Sequence, residues 1–317
     1  MFDTCETRVL ISLLLLIGLF LCGCGTTGAP ADLVWNELVA PHRHDLPMEG
    51  YKLQYIDIGS GRPLMMLHGY ASSGYAWNKN LMPLVKAGFR VILVDLPGQG
   101  LSTVPPRSFS PSVESIAAQV IALADHLKLD TFGVTGCSMG GGITLFIAAT
   151  YPDRVDRTAV IDPACFDQEK PFSLKLLNNK VTGPVIVQFA NRRNIENALK
   201  DTAYRDEVIT DTFVSEYARP LAKPGYKSFI GRLVREFPSE RGLALTRHYN
   251  ELKTPLLIIW GSEDKWVPVE FGRRLNELVP ASRLEVFDGI GHMPHLEAPE
   301  QTNALLIDFF SAAPEKE

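Results

Sequence analysis

The pentapeptide Gly136-Cys137-Ser138-Met139-Gly140 sets one serine between two glycines, after the strand-like run Thr131 to Thr135 and before the apolar, helix-like run Ile143 to Tyr151. A chain passing from strand to helix in so few residues must turn sharply, and the turn holds the serine hydroxyl clear of the sheet. Gly136 and Gly140 stand where a Cβ would collide with neighbouring backbone, and Gly140-Gly141-Gly142 lets the helix lie close to the strand. Ser138 is therefore the candidate nucleophile. The same five residues could form a plain glycine-rich turn, and the strand before them and helix after them favour the chemical reading.

A serine hydroxyl is a weak nucleophile. A neutral imidazole must take its proton, and a carboxylate must fix the tautomer of that imidazole and steady the imidazolium. His292 lies in the glycine-bearing loop Asp288 to His295, after the strand-like run Arg283 to Phe287. Asp264 lies in Trp260-Gly261-Ser262-Glu263-Asp264-Lys265, just past another apolar run. Asp162, Glu263 and Asp288 compete with Asp264 for the acid. His295 competes with His292 for the base, although the residues after it resemble a helix entrance, which favours a packing role. The negative oxygen formed on attack needs backbone N–H donors. Met139, at a helix N-terminus, and Tyr70, after His68-Gly69 on another strand end, are placed to give them. His68 itself is expected to hold its loop rather than exchange protons.

Such residues need a frame that brings strand ends together. Tyr51 to Ile58 alternates like a half-exposed strand, whereas Leu64 to Leu67, Val91 to Val94, Thr131 to Thr135, Ala159 to Ile161 and Leu256 to Trp260 are short unbroken apolar runs. Unbroken runs fit strands covered on both faces. Helical patterns lie between them, at Val113 to Leu127, Ile143 to Tyr151, Phe271 to Leu278 and Thr302 to Phe310. Alternation of this kind predicts an α/β fold, a mostly parallel sheet with helices on both faces and chemistry beyond the carboxyl ends of its strands.

Five ordered motifs carry a family resemblance. Leu67-His68-Gly69-Tyr70 resembles an oxyanion loop, Asp95-Leu96-Pro97-Gly98-Gln99-Gly100-Leu101-Ser102 a D-x-P-G-x-G-x-S turn, and Gly136 to Gly140 a nucleophile elbow. Trp260 to Asp264 and Gly291-His292 complete the series. In these residues the chain resembles the α/β-hydrolase superfamily. The resemblance implies Ser138 as nucleophile, Asp264 as acid, His292 as base, Tyr70 and Met139 as oxyanion donors, a structural Asp95, and no metal or organic cofactor. Residues 164–250, which lack apolar strand runs and carry scattered aromatics, resemble the family's helical cap. The domain map expected is thus core over 48–163, cap over 164–250 and core again over 251–317.

At the N-terminus, the apolar run Val9 to Leu21 has the length of a signal-peptide core, and Leu21-Cys22-Gly23-Cys24 resembles a bacterial lipobox. The expectation is an exported, membrane-anchored protein, with residues 1–23 as signal peptide or anchor, lipid on Cys24, and 24–47 as a tether or covering segment. An uncleaved helix or an ordinary signal peptide would also export the chain. Cys137 and Cys165 remain for the folded part and are expected as free buried thiols. A net charge of −5 without a clustered basic surface argues against a nucleic-acid partner. The activity expected first is cleavage of small, hydrophobic carboxylic esters through an acyl-enzyme. A carbon–carbon bond hydrolase acting on a diketone, an aminopeptidase or a perhydrolase could use the same residues, and a silent binding lipoprotein could keep the fold.

Overall fold

The computed structural model describes residues 33–167, 172–237 and 246–312. The segment 1–23, with its expected signal or anchor, and Cys24 lie outside the described residues. Among the described residues no helix is long and apolar enough to cross a membrane.

Eight strands form one sheet, β1 (Arg43–Met48), β2 (Tyr51–Ile58), β3 (Arg62–Leu67), β4 (Phe89–Val94), β5 (Phe132–Cys137), β6 (Val155–Ile161), β7 (Leu256–Gly261) and β8 (Arg283–Phe287). Their order is β1-β2-β4-β3-β5-β6-β7-β8. β1 and β2 pair antiparallel, β2 runs antiparallel to β4, and every other pairing is parallel. The chain leaves β3 toward β4 on one side and later leaves β5 toward β6 on the other. The crevice where connections part in this way is where open α/β sheets bind ligands.

The helices that cover the sheet and support the site are α1 (Leu33–Val39), α2 (Leu81–Lys86), α3 (Val113–His126), α4 (Met139–Thr150), α5 (Phe172–Asn178), α6 (Arg192–Thr202), α7 (Asp211–Ala218), α8 (Tyr226–Glu236), α9 (Glu270–Leu278) and α10 (Pro299–Ser311). Successive residues of a strand point to opposite faces, which explains why unbroken apolar runs are needed here. Leu64 and Met66 of β3 join Leu81 and Leu84 of α2 and Leu306 and Phe310 of α10 in one cluster. Met65 and Leu67 join Ile116 and Val120 of α3 and Ile143 and Ile147 of α4 in the other.

Of the segment expected as a tether or covering segment, the residues from Leu33 onward fold onto the sheet. Trp35 and Val39 of α1 are buried, Trp35 standing edge-on to Tyr75 with ring centroids 5.4 Å apart. β1 then pairs with β2 from Arg43 opposite Ile56 to Met48 opposite Tyr51. Its sequence, Arg-His-Asp-Leu-Pro-Met, is half polar, as an edge strand allows, and Pro47 lacks an N–H at a place where an edge tolerates that loss.

Between β6 and β7 the described residues are helical, from α5 to α8. Lys223 ties this part to the core. Its Nζ donates to the carbonyls of Gly98 (3.1 Å), Gly100 (3.0 Å) and Ser102 (2.7 Å). That turn is itself built around buried Asp95, whose carboxylate accepts from the N–H groups of Gly74 (2.6 Å) and Leu101 (2.5 Å). A Cβ at Gly100 would lie 2.2 Å from Cγ of Asp95, so only glycine fits there. Cys137 and Cys165 are free and buried, and burial pushes the Cys137 thiol up to about 12.

Candidate active site

Ser138 follows β5 with φ of 52° and ψ of −119°, a conformation rare for a residue with a side chain. Strain of this sort costs about 1–3 kcal/mol and persists only where the surroundings enforce it. Here the enforcement is close packing. A Cβ at Gly136 would lie 2.4 Å from the backbone carbon of Gly140, and one at Gly140 would lie 2.4 Å from the carbonyl oxygen of Leu67. The Ser138 N–H donates to the carbonyl of Ile161 at 2.9 Å, and its own carbonyl accepts from Gly142 and Ala164. The serine is half-buried at the sheet's carboxyl edge.

Sheet register gathers the remaining residues at the same edge. Leu67 aligns with Gly136, Cys137 with Ile161, and Ile161 with Ile259. Residues just past β3, β5, β6, β7 and β8 therefore share one end of the sheet. Asp264, after β7, accepts from a ring nitrogen of His292, with Oδ2 2.6 Å from Nδ1. Its other oxygen, Oδ1, accepts from the N–H groups of Trp266 (2.7 Å) and Val267 (2.9 Å). Both side chains are buried, and the Trp266 ring lies nearly parallel to His292 with centroids 6.3 Å apart. A carboxylate fixed by two backbone donors and touching Nδ1 leaves Nε2 as the atom able to take a proton.

The rival residues are placed elsewhere. Glu263 and Asp288 are exposed, and Glu263 accepts from Ser262. His295 is fully buried with its ring 4.7 Å from that of Trp77, and burial holds it neutral, down to about 3. His68 is buried as well. Its Nε2 accepts from the N–H of Leu96 at 3.0 Å while Nδ1 lies 2.8 Å from the carbonyl of Gly69, so both ring nitrogens are engaged in holding the loop. Asp162, by contrast, is buried beside the pair, with carboxylate oxygens of Asp162 and Asp264 and a ring nitrogen of His292 all within 4.8 Å of one another.

The β3 loop meets the elbow at Gly69, where a Cβ would lie 3.3 Å from Cβ of Ser138. Tyr70 follows, and its hydroxyl donates to the carbonyl of Ile230 in α8 at 3.1 Å. The Tyr70 side chain thus links the β3 loop to α8. Its backbone stands on the loop facing Ser138, and Met139 opens α4, where the first N–H groups have no partner within the helix.

One supporting residue was not legible from sequence. Glu297, buried, accepts at Oε2 from the N–H groups of Gly291 (3.1 Å), Tyr204 (3.0 Å) and Arg205 (3.0 Å), and at Oε1 from Met293 (3.1 Å). It therefore binds both neighbours of His292 to the end of α6, where the carbonyl of Thr202 accepts from the His292 N–H at 3.1 Å. Its signal in the sequence is only a glutamate five residues after a histidine. Glu297→Gln puts an amide N–H₂ where backbone donors converge, and is expected to cost about 1–3 kcal/mol in unfolding free energy by urea titration.

Comparison with known proteins agrees with this fold. The model of the alpha/beta hydrolase fold family matches residues 62–299. A 2-hydroxy-6-oxononadienedioate/2-hydroxy-6-oxononatrienedioate hydrolase from Pseudomonas putida is 30% identical over 271 residues, covering 82% of this chain and 92% of that protein. A 2-hydroxy-6-oxo-6-phenylhexa-2,4-dienoate hydrolase from Burkholderia cepacia is 27% identical over 274 residues, covering 83% and 93%. Among solved structures, the meta-cleavage product hydrolase CumD from Pseudomonas fluorescens IP01 aligns with a TM-score of 0.71 at 25% identity, covering 84% of this chain and 97% of that one. With a family match spanning β3 to the start of α10, the chain belongs to the alpha/beta hydrolase family and is a hydrolase.

Proposed function

We propose that Ser138 attacks a substrate carbonyl while His292, held by Asp264, takes the hydroxyl proton, and that the bond cleaved is a carbon–carbon bond beside a ketone. The observation that carries the serine mechanism is the buried Asp264–His292 pair at the sheet edge that also bears the strained serine. The choice of bond is supported by the relatives, whose names specify 2-hydroxy-6-oxo-dienoates and related diacids as what they act on. It displaces the ester reading from first place. Attack on the ketone carbon forms an oxyanion beside the N–H groups of Met139 and Tyr70. Cleavage needs the keto tautomer of such a substrate, in which the 2-enol has become a ketone and its proton has been gained by the carbon beside the attacked ketone. The electron pair of the breaking carbon–carbon bond then leaves as a dienolate delocalised to the 2-oxygen, which takes up the proton held by His292. The acyl group stays on Ser138 until water, deprotonated in turn by His292, releases the acid.

An ester shares every step except the leaving group. The discriminating experiment gives the purified chain 2-hydroxy-6-oxo-6-phenylhexa-2,4-dienoate beside nitrophenyl esters of several acyl lengths and compares kcat/KM. Loss of the dienoate chromophore at a kcat/KM above that of the best ester is the expected result. An untouched dienoate with rapid ester turnover would return the ester reading to first place. The membrane anchor through Cys24 remains part of the proposal: Cys24→Ser is expected to move the expressed protein from the membrane to the soluble fraction, and an unchanged fraction would refute lipid attachment there.

A further inference from the structure

Asp162 is an acidic side chain at the site for which the serine, the acid and the base leave no task. It follows β6 with φ of 43°, in the left-handed region that favours glycine, and its side chain is fully buried. Its N–H donates to the carbonyl of Ile259 at 3.0 Å, and its Oδ1 accepts from the N–H of Gly261 at 3.0 Å. Oδ2, equally buried, meets no donor among the described residues. A carboxylate oxygen of Asp162, one of Asp264 and a ring nitrogen of His292 lie within 4.8 Å of one another.

Two ionised carboxylates this close, out of water, repel each other strongly. Burial above all, then the charge of Asp264, and after these Glu297, drive the Asp162 carboxyl well above its usual range, against the opposing pull of the Gly261 N–H. The other titratable groups beside it are the Cys137 thiol, which burial keeps protonated, and His292 itself. A protonated Asp162 resolves both features, because its O–H turns the orphaned oxygen into a donor facing an acceptor.

We propose that Asp162 is a positioning residue that stays protonated and donates its O–H to the Asp264 carboxylate. This rests on reading Asp264 and His292 as the pair that activates Ser138. Asp264 then accepts from Trp266, Val267, His292 and Asp162 together. Each added donor stabilises its charged form and makes it a weaker base, so the proton on Nδ1 stays with the imidazole and Asp264 keeps one orientation. The imidazolium formed during turnover then faces one negative charge rather than two.

The test compares Asp162→Ala and Asp162→Asn in the intact chain, by pH profiles of kcat and kcat/KM and by infrared difference spectra of wild type against Asp162→Asn. Asp162→Ala is expected to lower kcat roughly tenfold to a hundredfold, the effect of one lost hydrogen bond to a charged group, with little change in KM. Its acid limb moves to higher pH, because Asp264 without that donor holds the imidazolium more tightly. Asp162→Asn, neutral and able to donate, recovers most of kcat, keeps the acid limb in place and removes a protonated-carboxyl band present in the wild type at neutral pH. The band does not depend on turnover, so it decides the proposal even if the serine reading fails or Asp162→Ala does not fold. An absent band, an acid limb that moves to lower pH in Asp162→Asn, or activity abolished by a chelator would each overturn it.

Discussion

Ser138→Ala is expected to lower kcat on the order of 10⁶-fold, by analogy with other serine hydrolases stripped of their nucleophile. The size of the effect follows from what is removed. His292 and Asp264 act on the substrate only through the serine hydroxyl, so without it the imidazole has no proton to take and no covalent acyl intermediate forms. What remains is the oxyanion site and substrate binding, and KM should therefore change far less than kcat. Stability should hardly change, since alanine faces the same positive φ as serine and the elbow is held by backbone contacts of Gly136 and Gly140 rather than by the hydroxyl. The measurement is single-turnover kinetics on whichever substrate the bond comparison selects, with thermal unfolding as the control. Turnover within tenfold of wild type in a folded variant would remove Ser138 from the mechanism.

The elbow was legible in the sequence because its determinants are local. Glycines that cannot accept a Cβ, a strand before and a helix after all fall within about twenty residues, and the structure places β5 at Phe132–Cys137 and α4 at Met139–Thr150. The parallel strands were legible for a related reason, since burial on both faces forces unbroken apolar runs such as Leu256 to Trp260. β1 gives no such signal. An edge strand with one exposed face can be as polar as Arg43–Met48, and its place in the fold is set by pairing with β2. The same divide runs through the site. Asp264 follows an apolar run and His292 a strand-like one, and both could be nominated from that position. Position alone left Asp162 as a competitor at the neighbouring strand end, the resemblance of Trp260 to Asp264 to the family's motif selected Asp264, and the 2.6 Å contact sets that carboxylate against Nδ1 of His292. Glu297 lay beyond sequence reasoning altogether, since two of its four partners, Tyr204 and Arg205, are some ninety residues away in the bend that follows α6.

Asp264→Asn is expected to lower kcat on the order of 10⁴-fold, the loss seen when the acid of a comparable triad becomes an amide. The structure gives a local reason for a loss of that size. Oδ1 of Asp264 accepts from the N–H groups of Trp266 and Val267, and an asparagine can keep both bonds only by leaving its oxygen there. Its N–H₂ is then turned toward His292. A donor facing Nδ1 forces that nitrogen to accept, which puts the imidazole proton on Nε2 and removes the only lone pair able to take the serine proton. The defect is thus one of tautomer rather than of fold, and urea unfolding should show a far smaller change than kcat does. Asp264→Ala separates the two effects, because it removes the wrong-tautomer donor along with the carboxylate while leaving two backbone N–H groups unsatisfied. It is expected to be the less stable variant without being the less active one. A folded Asp264→Asn with nearly wild-type turnover would mean that another group, with buried Asp162 the nearest carboxyl, orients the imidazole in place of Asp264.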